Sequence, residues 1–304
     1  MITSSYTYSK ILDYATCPKL YYWRNVAKIT PIKKAKALSF GYCMSNAIRF
    51  YRSTASFDEA AKAFQDAWIE DGKILSIRTT DEDPKDFRTV QRGLEILEAY
   101  VKFYPDDPEN TIRPEVSFEV PVGVVRDRNI MLRGRIDGVV SDGKGGARIG
   151  EDKTTSRLGD TFFDALRGSL QIGLYLYAAD QYGLFDIGKR TTPSCLMNAI
   201  KVHPKEFKFT RDVAIKSRNT LHFFKENALR WVDRMIASEE ENIYPLNDID
   251  NSTCTKYGGC DYLPLKYAEG ELRKALLLHN FQRKEKIGEK YVSSPLEEKD
   301  IINL

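Results

Sequence analysis

The chain has 304 residues, 42% of them hydrophobic, and its 46 basic and 43 acidic side chains leave a net charge of +3. That length buries a sizeable core and is read as one elaborated domain, while the mild basicity permits a nucleic-acid partner without demanding one. No apolar run approaches the roughly 20 residues that span a bilayer, and Met1-Ile2-Thr3-Ser4-Ser5-Tyr6 lacks a basic region followed by an apolar stretch, so a soluble, cytoplasmic protein without membrane contact is expected. Five cysteines, an odd number in so long a chain, do not form a small secreted framework. Cys43 and Cys195 lie in apolar runs and read as buried, whereas Cys17, Cys254 and Cys260 fall in turn-like contexts at the two ends of the chain.

In chain order, Ser5 to Tyr14 reads as a capped helix leading to Cys17-Pro18, followed by the aromatic cluster Tyr21, Tyr22 and Trp23. Ser56-Phe57-Asp58-Glu59 is a capping box for a helix whose apolar face carries Ala60, Phe64, Ala67 and Trp68, with Gly72 as its end. A second helix is predicted from about Pro84 to Tyr104, with Leu94, Leu97 and Val101 on its inner stripe. The period then becomes alternating: Val116, Phe118, Val120 and Val122 mark a half-buried strand. Ile130 to Val140 reads as one strand, Ser141 to Gly146 as a turn, and Ala147 onward as the partner strand. A helix is predicted over 162–184, strands over 194–201 and 206–209, a long helix over 212–240, a loop over 251–265 and a helix over 271–284.

The polar residues of the strands stand out. Glu151 and Lys153 share one face of a strand and Asp152 points to the other. If Asp137 faces them, two carboxylates offer hard oxygen ligands for Mg2+ or Mn2+, with Lys153 beside them to stabilise charge on a phosphate. The alternative leaves Asp137 in a turn and Glu151 with Lys153 as a surface ion pair. Gln171 and Tyr175, four apart on a helix, project from one face, toward the same site or into solvent and core respectively. Lys201, Lys205, Lys208 and Arg211 are either a nucleic-acid track or a solvated strand face. His203, His222 and His279 have no metal-ligand spacing.

Together, Cys17-Pro18 with its aromatics, Gly134-Arg135-Ile136-Asp137, Gly150-Glu151-Asp152-Lys153-Thr154-Thr155 and Gln171-x-x-x-Tyr175 resemble, over residues 5 to 265, the RecB-type branch of the PD-(D/E)XK nucleases. That branch includes the AddB nuclease domain, CRISPR adaptation nucleases and many viral exonucleases. The resemblance implies an α/β fold with a mixed central sheet flanked by helices and extended by N- and C-terminal helices that form a wall or passage over the site. Its single nuclease domain would span 1–270, with a catalytic core at about 110–210, and 271–304 would be a helix and charged tail. It implies that Asp137, Glu151 and the backbone carbonyl of Asp152 hold a divalent metal, that Lys153 orients water or stabilises the transition state, and that Gln171 and Tyr175 support the phosphate. The implied activity is metal-dependent DNA hydrolysis, exonucleolytic, in recombination, repair or replication, with a helicase, recombinase or single-strand-binding protein as partner.

Two departures from that pattern qualify the implication. Ser45 stands where many relatives carry histidine, with Glu119 as a minor substitute for the missing ligand. An iron-sulfur cluster would draw on Cys17, Cys254 and Cys260, but its fourth cysteine position is Lys266, so these thiols are either a labile site or vestigial. The rival function is a nuclease-fold protein with little or no catalysis that binds nucleic acid or serves assembly.

Overall fold

The computed structural model describes residues 2–32, 36–74, 86–159, 161–247, 252–255, 259–287 and 290–301. Its elements begin with β1 (Ile2–Tyr6), α1 (Tyr8–Thr16), α2 (Pro18–Tyr21), β2 (Ile29–Pro31), α3 (Lys36–Thr54), α4 (Phe57–Ile74), α5 (Val90–Phe103) and α6 (Asp107–Asn110). They continue with β3 (Thr111–Arg113), β4 (Val116–Val125), β5 (Arg128–Ile136), β6 (Gly138–Ser141), β7 (Ala147–Thr155), α7 (Thr161–Gly168) and α8 (Leu170–Gln181). Then come β8 (Ser194–Val202), β9 (Phe207–Ile215), α9 (Arg218–Glu241), α10 (Ser252–Thr255), α11 (Gly270–Asn280), β10 (Phe281–Ile287), β11 (Lys290–Pro295) and α12 (Glu298–Ile301). The chain forms two compact units, one from Met1–Tyr8, Lys36–Ile69 and Asp81–Arg230, the other from Ser9–Ala35, Glu70–Thr80 and Trp231–Leu304.

Among the described residues the first unit holds two sheets. One is three-stranded, in the order β1-β5-β4, with β1 parallel and β4 antiparallel to β5. The other is five-stranded, β3-β6-β7-β8-β9, and antiparallel except for the parallel pair β7 and β8. A parallel pair needs a crossover, which α7 and α8 supply. The result is a mixed α/β fold. Its helical core gathers Phe40, Met44 and Ile48 of α3, Phe64 of α4, and Ile96, Leu97 and Tyr100 of α5, against Ile200 and Val202 of β8.

Local signals explain much of this. The Glu59 amide donates to Ser56 Oγ at 3.3 Å, the first half of a capping box, and Ala60, Phe64, Ala67 and Trp68 are buried as their spacing requires. Val116, Phe118, Val120 and Val122 are buried on one face of β4, while Ser117, Glu119 and Pro121 are exposed.

Other elements differ from expectation for physical reasons. Ile2–Tyr6 pairs in parallel with β5, so the first helix begins at Tyr8 rather than Ser5. The Ile130–Val140 run breaks at Asp137, leaving β5 in one sheet and β6 in the other. The helix expected over 162–184 is interrupted at Ser169, whose hydroxyl accepts from the Ile172 amide and starts α8 anew. Thr89 caps α5 in the same way, and its seam runs through Gly93, Ile96, Leu97 and Tyr100, with Leu94 and Val101 only partly buried; residues 84 and 85 lie outside the described residues. Asp212–Ile215 prolongs β9, so the long helix starts at Arg218. In the second unit, α11 stops at Asn280 because Phe281–Ile287 pairs antiparallel with both β2 and β11. That small sheet covers a core of Trp23, Ile29, Tyr262, Leu265, Leu277, Phe281 and Leu296.

Candidate active site

Strand alternation on β7 divides three consecutive polar residues between two faces. On one face Glu151, only 2% exposed, accepts through Oε1 from both Lys153 Nζ and Gln171 Nε2, the latter at 2.7 Å. Asp137, at the junction of β5 and β6, accepts the Asp152 amide at 3.0 Å through Oδ2. The chain therefore leaves one sheet and enters the other at the residue whose carboxylate reaches β7. Tyr175, one turn beyond Gln171 on α8, stacks edge-on against Phe118 at 5.7 Å. Gly134 of β5 makes room for that ring, since a Cβ there would lie 2.7 Å from Phe118 Cζ.

Crowding of acids dominates the electrostatics. Burial, then the charges of Glu151 and Asp152, push the Asp137 carboxyl up to about 8. Burial also raises Glu151, against the pull of Lys153. For Lys153 burial favours the neutral amine, but Glu151 and Asp137 outweigh it and hold the amine above its ordinary range. Burial, then Glu151, push the Tyr175 phenol up to about 12, so it is protonated at neutral pH and able to donate. Tyr8, at the start of α1, senses the same group: burial raises its phenol, with Lys153 and Glu151 as the next influences.

On the opposite face of β7 lies a buried polar network. Arg52 of α3, its side chain 2% exposed, donates to both oxygens of Asp152, at 2.7 and 3.0 Å. Asn198, paired with Asp152 across the parallel strands, adds a third donor at 2.8 Å. Tyr100 Oη receives Arg52, Asn198 and Arg211 and donates to Asp107, which Arg211 also contacts at 2.6 Å. Of these residues, Arg52, Tyr100, Asp107 and Asn198 carry no motif in the sequence. The signal was Arg52 itself, a charge four residues past Ile48 on the stripe Phe40, Met44, Ile48 that faces the core. A charge there must be paired.

The remaining candidates fall elsewhere. Ser45 is half-buried on α3. Glu119 lies on the exposed face of β4 and accepts from Ser5 Oγ at 2.6 Å, on the side opposite Phe118, so it faces away from Tyr175. Of the basic residues near β9, Arg211 belongs to the buried network and Lys201 pairs with Glu206, which leaves little of a continuous track. In the second unit Cys17, Cys254 and Cys260 line one apolar cavity of about 130 Å3 together with Lys19, Lys266 and Arg273. Burial raises the Cys260 thiol and lowers the Lys19 amine.

The donors on β7 fit a hard divalent cation. Glu151 Oε2 is buried and has no hydrogen-bond partner, although Oε1 has two. An oxygen so placed suits a cation. Among the described residues no three His, Cys, Asp or Glu side chains are drawn together to hold a metal. Mg2+, which keeps several of its waters, is served by one or two carboxylates. The cysteine cavity does not fit a four-thiolate cluster, because it offers three thiols and a lysine. Among the described residues no helix is long and apolar enough to cross a membrane.

Comparison with known proteins identifies the family. A solved structure described as "Crystal structure of SSO0001" is 12% identical, with 74% of this chain and 81% of that one covered, at a TM-score of 0.30, a likeness too loose to bear on the site. A search of curated proteins finds no match. The family model of the PD-(D/E)XK nuclease superfamily matches residues 5–265, a span that takes in β5 through β9 and both acids of β7. With an acid at a strand junction, an acid-x-lysine on the next strand and a family model over most of its length, the chain belongs to the PD-(D/E)XK nuclease superfamily.

Proposed function

We propose that this nuclease is a divalent-metal-dependent deoxyribonuclease of the RecB-type branch, acting from DNA ends, with Asp137, Glu151, Lys153, Gln171 and Tyr175 as its working residues. The observation that carries the reading is the buried, unpartnered Glu151 Oε2 beside an Asp137 whose carboxyl is raised by burial and then by its acidic neighbours. Two crowded acids gain most from a cation between them. Asp137, Glu151 and the Asp152 carbonyl would hold Mg2+ or Mn2+, which when bound supplies Lewis acidity at the phosphoryl oxygen and a more acidic water.

The protein's own contributions follow from position. Gln171 fixes Glu151 Oε1, leaving Oε2 free to act as a ligand. Lys153, held as an ammonium by the two acids, is available to neutralise charge that develops on the phosphate. Tyr175 keeps its proton and can donate it to a phosphate oxygen. The cysteine cavity has no role in this chemistry, and no iron-sulfur cluster is required. Action on ends, and a place in recombination, repair or replication beside a helicase or single-strand-binding protein, rest on the motif resemblance.

The experiment is cleavage of single- and double-stranded DNA labelled at either end, with Mg2+, Mn2+ or chelator. Progressive shortening from an end with metal, and none with chelator, is the expected result. Metal-independent cleavage, or none in any condition, would overturn the reading.

A further inference from the structure

Asp152 is held from three directions. Its amide donates to Asp137 Oδ2 at 3.0 Å, while its carboxylate, on the other face of β7, takes both arms of Arg52 and the amide of Asn198. Arg52 comes from α3, 100 residues away in sequence, and Asn198 from the neighbouring strand. Glu151 and Asp152 are adjacent acids of similar chemistry, and a one-residue slip of β7 would exchange them between faces. Backbone pairing alone does not distinguish the two registers by side chain. A buried guanidinium does: it demands a carboxylate on its own face, and the fork of Arg52 engages both oxygens of the one it finds.

We propose that Arg52 is a positioning residue for the catalytic strand, locking Asp152 from behind so that Glu151 faces the site and the Asp152 amide holds the Asp137 carboxylate beside it. The inference rests on the nuclease reading and deepens it. Arg52 hydrogen-bonds to Asp152, Asp107 and Tyr100, none of the five working side chains, and it acts through Asp152, whose carbonyl is the group assigned to the metal. Asn198 supports the same lock from β8. Arg211 meanwhile neutralises Asp107 independently, so the network does not require Arg52 for charge balance once Asp152 is neutral.

The test therefore removes both charges together, in the double variant Arg52→Met/Asp152→Asn, with Arg52→Lys as a milder variant and Glu151→Gln as control. Four quantities are read: cooperative unfolding, hydrogen exchange of the backbone amide at position 152 without metal, Mn2+ affinity, and kcat and KM on end-labelled DNA. The expected double variant unfolds cooperatively, exchanges that amide about tenfold faster, and loses about tenfold or more in Mn2+ affinity and kcat with KM little changed, as outer-shell partners of metal ligands do. Arg52→Lys, which keeps the charge but not the fork, falls between. Glu151→Gln loses Mn2+ binding and cleavage yet keeps the amide protected. A folded double variant with wild-type exchange, affinity and kcat would overturn the positioning role and leave the nuclease reading standing. If the double variant does not fold, Arg52→Lys is judged by the same readings, and wild-type values for it overturn the role. A wild-type protein that neither binds Mn2+ nor cleaves DNA overturns the nuclease reading, and the positioning role with it.

Discussion

At the scale of single residues, the proposed chemistry turns on how the two oxygens of Glu151 are used. Oε1 is shared between Lys153 and Gln171, and Oε2 is left buried without a partner. Gln171 is thus an orienting group, and its removal should leave Glu151 able to rotate and spend Oε2 on Lys153. For Gln171→Ala we expect kcat to fall about ten- to a hundredfold, the usual effect of losing a ligand's hydrogen-bond partner, with DNA affinity nearly unchanged. Unchanged kcat would return Gln171 to a surface role. The positions of Glu151, Lys153, Gln171 and Tyr175 were legible because their relations are local, two apart on a strand and four apart on a helix. Asp137 was legible as a candidate from the apolar run before it. Arg52 and Asn198 reach Asp152 from 100 and 46 positions away; the helical stripe marks Arg52 as a buried charge, but its partner, and the role of Asn198, required the tertiary fold.

At the scale of elements, β7 works because its two faces meet different partners, and the network behind it is itself a stability device. Burial opposes ionisation of Asp107, yet the hydrogen bond from Arg211 and the charge of Arg52 outweigh it and hold that carboxyl below its ordinary value. A depressed carboxyl adds stability above the unfolded value of about 4, and that contribution is lost as pH falls through the folded value. Wild-type protein should therefore lose stability below about pH 4, and Asp107→Asn should be less stable at neutral pH with a shallower acid dependence. Chemical denaturation from pH 3 to 7 measures both, and parallel curves would contradict the account. Element legibility followed the same division as the residues. The alternating burial of β4 and the capping box of α4 are local and could be read directly. The break at Asp137 and the strand character of Ile2–Tyr6 and Phe281–Ile287 are decided by pairing with distant strands, which overrides the local helical pattern.

At the scale of the whole molecule, the two compact units carry different chemistry. The acids and their network belong to the first, and the three-cysteine cavity belongs to the second. Three thiols and Lys266 cannot complete a four-thiolate cluster, because an ammonium has no lone pair to give iron. Anaerobically purified protein should therefore contain no stoichiometric four-iron cluster, and Cys17→Ser should leave cleavage intact. Four irons per chain, with loss of folding in Cys17→Ser, would contradict this. The central claim is that Glu151 is the ligand on which hydrolysis depends. The direct measurement is the Mg2+-dependent cleavage rate of folded Glu151→Gln protein on end-labelled DNA. Cleavage reduced to the level seen with chelator is the predicted result, and cleavage at the wild-type rate would contradict it.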